Sequence, residues 1–100
     1  MVDLERIAGF DWDDGNARKS SAKHGVSQAE AEQVFYNAPL SVLEDAKHSH
    51  GERRYQALGQ SIAGRHLHVT FTLRDGDTKI RIISSRDMNR KERARYEQEA

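Results

Sequence analysis

The chain has no cysteine, a single proline and only seven aromatic residues in 100 positions. Without cysteine there is no disulfide, no thiolate zinc site and no thiol nucleophile, a composition that fits a reducing cytoplasm. No apolar run approaches the roughly 18–20 residues that a membrane span requires, so no membrane is expected among the partners. The opening Met1-Val2-Asp3-Leu4-Glu5 has neither the basic start nor the apolar stretch of a secretory signal. Repeats, low-complexity tracts and Gly/Ser linkers are missing too, which predicts one continuous domain over residues 1–100. An excess of either charge is also lacking, since 16 Lys+Arg balance 16 Asp+Glu.

The distribution of those charges is more telling than their sum. Residues 1–17 carry five acids (Asp3, Glu5, Asp11, Asp13, Asp14) against Arg6, a local balance of −4 that leaves +4 on the remainder. The arginines crowd towards the carboxyl end, a weak footprint for an anionic ligand.

The hydrophobic period changes along the chain. Phe10-Asp11-Trp12 reads as a short edge strand. Asp13 or Asp14 can cap a first helix, which Gly25 ends. Ser27 and Glu30 form a capping box for a second helix with Ala31, Val34 and Phe35 at helical spacing, and Pro39 stops it. From residue 40 the pattern is that of strands, at 40–44, 54–58, 67–73 and 78–85. Leu67, Val69, Phe71 and Leu73 alternate with polar residues, and Asp75-Gly76-Asp77 supplies the hairpin turn that follows. Asn89 with Glu92 caps a final charged helix over 90–99. The expected fold class is α+β, an antiparallel sheet of about four to five strands with two N-terminal helices and one C-terminal helix. Helices cover one sheet face, and the other stays open for function.

Three arginines from separate places, Arg54, Arg81 and Arg86, suit a grip on a phosphodiester. Equally, they suit simple pairing with Glu44, Glu52 or Asp87. Lys23 and His24 offer a proton-transfer pair, because an unperturbed imidazole titrates near 6.5, or a cation pair that complements a helix end. Tyr96 on the last helix is either an anchor to the sheet or a phenol brought to the site. His48-x-His50 and His66-x-His68 invite a metal reading but lack a third ligand at a diagnostic spacing, so surface histidines are expected. No phosphate-binding glycine loop, dinucleotide fingerprint or serine nucleophile elbow is present.

Taken in order, Phe10-Asp11-Trp12-Asp13, Lys23-His24-Gly25-Val26-Ser27 with Glu30-Ala31, Arg54 with Gly59, Arg81-Ile82-Ile83-Ser84-Ser85-Arg86, and Glu92-Arg93 with Tyr96 resemble the BrnT family of type II toxin–antitoxin toxins. The likeness spans residues 10–97. It implies a RelE-like fold and a cytoplasmic endoribonuclease toxin that arrests translation. Cleavage would need no metal or other cofactor, the RNA's own 2′-OH attacking the adjacent phosphate. The resemblance assigns Arg54, Arg81 and Arg86 to phosphate and transition-state contacts, Lys23 and His24 to proton transfer, and Tyr96 as a further candidate. It also implies a BrnA-like ribbon–helix–helix antitoxin as partner, with operator DNA bound only through the toxin–antitoxin complex. The rival reading is a non-catalytic module whose basic face docks the antitoxin or an acidic protein segment. A metal-dependent nuclease built on His66 and His68 is the outsider. The chain departs from the family pattern at Asn16, Ser20 and Asp87-Met88, and the changes at 16 and 87 lower the local positive charge.

Overall fold

The computed structural model describes residues 2–17 and 25–99. Five strands, β1 (Gly9–Phe10), β2 (Ser41–Glu44), β3 (Tyr55–Gln60), β4 (His66–Arg74) and β5 (Lys79–Asp87), form one sheet in the order β1-β5-β4-β3-β2. The described helices are α1 (Asp14–Ala17), α2 (Gln28–Gln33), which runs on into a 3₁₀ turn at Val34–Tyr36, and α3 (Arg90–Glu99). The first helix, expected to reach Gly25, lies beyond Ala17 outside the described residues.

The strands from β2 to β5 pair antiparallel, as short connections require. The sheet as a whole is mixed, because β1 runs parallel to β5. This corrects the all-antiparallel expectation. Nearly the whole domain separates β1 from β5 in sequence, so no tight hairpin dictates their relative direction.

Alternation on β3 and β4 sorts the core. Ala57, Leu67, Val69 and Phe71 share one face with Ile80 and Ile82, all essentially inaccessible, and Val26, Ala31 and Val34 pack onto them. Phe35 closes the layer with its ring edge-on to Phe71 at 5.1 Å. Ser27 caps α2 by accepting the Glu30 N–H at 3.1 Å, whereas the Glu30 carboxylate turns away to Arg65 at 3.0 Å. Gly59 is required where β3 passes this helix: a Cβ there would meet Val34 Cγ1 at 2.8 Å.

The helices do not all lie on that side. α3 crosses the opposite face, anchored by Tyr96, its one buried residue. The Tyr96 hydroxyl donates to the Pro39 carbonyl at 2.6 Å, and its ring meets His66 edge-on at 5.8 Å. The expected open face is therefore partly roofed, with His68 on it 5% exposed; Thr72, further along β4, is 2% exposed where its hydroxyl donates to the Arg53 carbonyl. An α3 with one large apolar side chain can hold only one end of that face, which leaves the other end accessible.

The regular alternation of β5 breaks once. Phe71 pairs with Ile82 but Thr70 with Ser84, so Ile83 is an extra, bulged residue. The consequence is large. Strict alternation would put Arg86 on the core face with Ile80 and Ile82, and the bulge turns it onto the polar face with Arg81 and opposite His68.

Candidate active site on the polar face of the sheet

Behind β2 the chain makes a polar loop, residues 45–54, closed on itself by its own hydrogen bonds. The Asp45 N–H donates to the Arg54 carbonyl at 2.8 Å. The Ser49 hydroxyl donates to the Asp45 carbonyl at 2.6 Å and accepts the Arg54 N–H at 3.0 Å. From outside, the Thr72 hydroxyl donates to the Arg53 carbonyl at 2.7 Å and ties the loop to β4. Asp45, His48 and Arg54 are thus held together although eight residues lie between the first and the last.

This loop forms one wall of an open cavity of about 350 Å³ on the polar face. Arg54 and Gln56 enter from the β3 side, His68 and Thr70 from β4, Ile83, Ser84 and Arg86 from β5, and Glu92 from α3. Glu92 is fixed by a reciprocal cap: its N–H donates to Asn89 Oδ1 at 2.8 Å, and its carboxylate accepts the Asn89 N–H at 2.9 Å. The same carboxylate takes both terminal nitrogens of Arg86 at 2.8 and 2.9 Å. Burial pushes the Glu92 carboxyl up, but Arg86 and the Asn89 N–H outweigh it and hold it below its ordinary value. The Glu92 hydrogen bond in turn raises Arg86. Burial drives the His68 imidazole towards its neutral form, only partly opposed by Glu92.

The predicted site residues divide. Arg54 and Arg86 meet at the cavity. Arg54 makes no side-chain hydrogen bond or ion pair among the described residues. Arg81 shares their face but stands five residues before Arg86, roughly 15 Å along the strand at about 3.3 Å per residue. It donates to both carboxylate oxygens of Asp13 at 3.0 Å, with Asp11 at 3.6 Å. The Arg81 hydrogen bond lowers Asp13 below the usual carboxylate value, and Asp13 raises Arg81. The acidic partners expected for Arg81 lay elsewhere in the sequence, at Glu44, Glu52 or Asp87. Tyr96 lies away from the cavity, its hydroxyl engaged with Pro39 and Gln60. Lys23 and His24 lie outside the described residues.

Two departures noted in the sequence acquire structural meaning. Asn16, 3% exposed, donates to the carbonyls of Asp11 and Ile82 at 3.0 and 2.9 Å and accepts the Asp13 N–H at 2.8 Å, clasping the N-terminal segment to β5. Asp87 accepts two hydrogen bonds from Arg65 at 2.7 and 3.0 Å, so the acid that neutralises Arg86 is Glu92.

The sequence is matched over residues 12–92 by the family described as "Ribonuclease toxin, BrnT, of type II toxin-antitoxin system". The chain belongs to the BrnT family. Its fold is similar to that of the crystal structure of the Brucella abortus ribonuclease toxin BrnT, with a TM-score of 0.60 and 23% identity over 82% of this chain and 97% of that one. No curated protein matches the sequence. The BrnT match takes in Lys23, His24, Arg54, Arg81 and Arg86, and stops short of Tyr96.

Sequence reasoning about this BrnT-family chain missed the cavity's acids and imidazoles. From the sequence Glu92 is a cap and part of the family likeness, His48 and His68 are surface histidines, and Asp45 has no expected role. The available signal was the Asp45-x-x-His48 spacing in a polar stretch leading directly into Arg54. Among the described residues no three His, Asp or Glu side chains gather as metal ligands, and no helix is long and apolar enough to cross a membrane.

Proposed function

We propose that this BrnT-family chain is an endoribonuclease that cuts RNA by metal-independent transesterification at the Arg54–Arg86 cavity, on a RelE-like version of the α+β fold. One observation carries the reading: two arginines converge from β3 and β5 on an open cavity that also holds titratable side chains. Guanidinium groups placed there match the charge that builds on a phosphorane as the 2′-oxygen attacks phosphorus and the 5′-oxygen departs. Arg54 has no acid among the described residues to leave first and binds the scissile phosphate. Arg86 joins it by exchanging one Glu92 oxygen for phosphate. Arg81 reaches a more distant phosphate of the same strand only by releasing Asp13, so its share is smaller. Lys23 and His24 act in proton transfer, an assignment carried by the resemblance, and Tyr96 anchors α3.

The purified chain is expected to cleave RNA in the presence of EDTA, leaving 2′,3′-cyclic phosphate and 5′-OH ends. Loss of cutting in EDTA with recovery on adding a divalent ion would overturn the metal-independent reading. Induced alone in a bacterial host, the chain should arrest growth and translation and generate new 5′-OH ends. No arrest from soluble, folded protein would favour the docking module.

The type II family implies an antitoxin partner. We take it to be a BrnA-like ribbon–helix–helix protein, acting with the toxin in the cytoplasm and carrying the operator-binding surface. The chain alone should then give no specific operator shift, and the complex should give one.

A further inference from the structure

His48, expected from the sequence to be a surface histidine, lines the same cavity as Arg54 and Arg86. Its Nδ1 lies 3.1 and 2.9 Å from the two oxygens of Asp45. A carboxylate only accepts hydrogen bonds, so Nδ1 carries the proton and donates it. In the neutral ring Nε2 is then the lone-pair nitrogen, and it has no partner among the described residues. Asp45 is itself well set. Burial raises its carboxyl, but hydrogen bonds from Gln56 and His48 prevail and keep it ionised below the usual value. The Asp45 side chain is 10% exposed and that of His48 57%, a fixed carboxylate behind an accessible imidazole.

We propose that His48 takes the 2′-hydroxyl proton during RNA cleavage and that Asp45 is the residue that positions it. The proposal rests on the ribonuclease reading of this cavity and deepens it. The 2′-OH proton passes to Nε2, the 2′-O–P bond forms and the P–5′-O bond breaks. The departing 5′-oxygen is protonated by a donor other than His48, the role that the resemblance leaves to Lys23 or His24, and the imidazolium, steadied meanwhile by Asp45, returns its own proton to solvent. An imidazole oriented by a fixed carboxylate is an effective general base. His68, the other imidazole of the cavity, is too deeply buried for this role, with Nε2 turned to Glu92 at 3.5 Å. The charged and titratable groups sharing the cavity with His48 are Asp45, Arg54, His68, Arg86 and Glu92.

The test uses the full chain and an RNA oligonucleotide, with melting followed in parallel. His48→Ala should slow cleavage by about 10²–10⁴-fold at an unchanged melting temperature, and added imidazole should restore part of the rate in a saturable manner. Imidazole should do nothing for Arg54→Ala. Asp45→Asn should cut the rate less, and ¹⁵N spectra of the His48 ring should show the Nδ1-protonated form giving way to a mixture of tautomers. A His48→Ala chain that cleaves within threefold of the native one, or a large loss that imidazole does not rescue, would overturn the proposal and leave the ribonuclease reading standing. A native chain that cuts no RNA would remove both.

Discussion

The two ends of β5 each carry an arginine held by both oxygens of one carboxylate, but in different surroundings. At one end Arg81 is clamped by both oxygens of Asp13, with Asp11 behind, and serves to hold the acidic N-terminal segment against the sheet. At the other, Glu92 holds Arg86 as closely, but in an open cavity beside Arg54, which has no acid of its own among the described residues. Charge alone does not make an arginine available to a ligand. The number and placement of its acidic partners do, because a guanidinium already satisfied in two directions must give up that geometry before it can bind phosphate.

On this contrast the largest effect belongs to Arg54. Arg54→Ala is expected to reduce RNA cleavage by about 100-fold or more without lowering the melting temperature, since no described partner is lost. An equal fall in stability would show that Arg54 is structural and erase the contrast. Asn16→Ala attacks the clamped end. Removing an amide that serves two carbonyls and one N–H in a buried place should cost about 2 kcal/mol of stability, measured by denaturant titration, with cleavage per folded molecule little changed. Arg81→Ala sharpens the comparison further: a lowered melting temperature and less than about a tenfold loss of cleavage, roughly 1.4 kcal/mol at most. A greater loss of cleavage than from Arg54→Ala would reverse the assignment of the two ends.

The smallest effect is a pH dependence at the cavity end. Burial lowers the proton affinity of His68 in the folded chain. The unfolded chain therefore binds more protons once the pH drops below about 6.5, and stability, full above that value, declines as the pH falls. The Glu92 and Asp45 carboxyls, both held low when folded, add a second decline through the carboxylate range. His68→Gln should flatten the first part of the curve and leave the second. Chemical denaturation at a series of pH values would separate them.

Much of the architecture was readable in advance because it depends on local chemistry. The Ser27 and Asn89 caps, the positive-φ turn at Asp75 to Asp77 and the alternation from Leu67 to Phe71 all lie within a few residues of the groups they organise. The position of α3 was not legible, since a helix whose only buried side chain is Tyr96 carries no amphipathic stripe to say which face it covers. Nor was the company of each arginine. Asp13 and Arg81 are 68 residues apart, and nothing in either neighbourhood announces the other.

By itself, then, the sequence determined the class of fold, the strands and caps, and the set of arginines that the family likeness brings forward. The tertiary structure decided which of those arginines share a site. The bulge at Ile83 rotates Arg86 out of the core face, and the self-closed loop of residues 45–54 carries Asp45, His48 and Arg54 to the same cavity. Both are matters of register and loop closure. A one-residue slip exchanges the two faces of a strand, and that slip is set by pairing across the sheet rather than by neighbours along the chain.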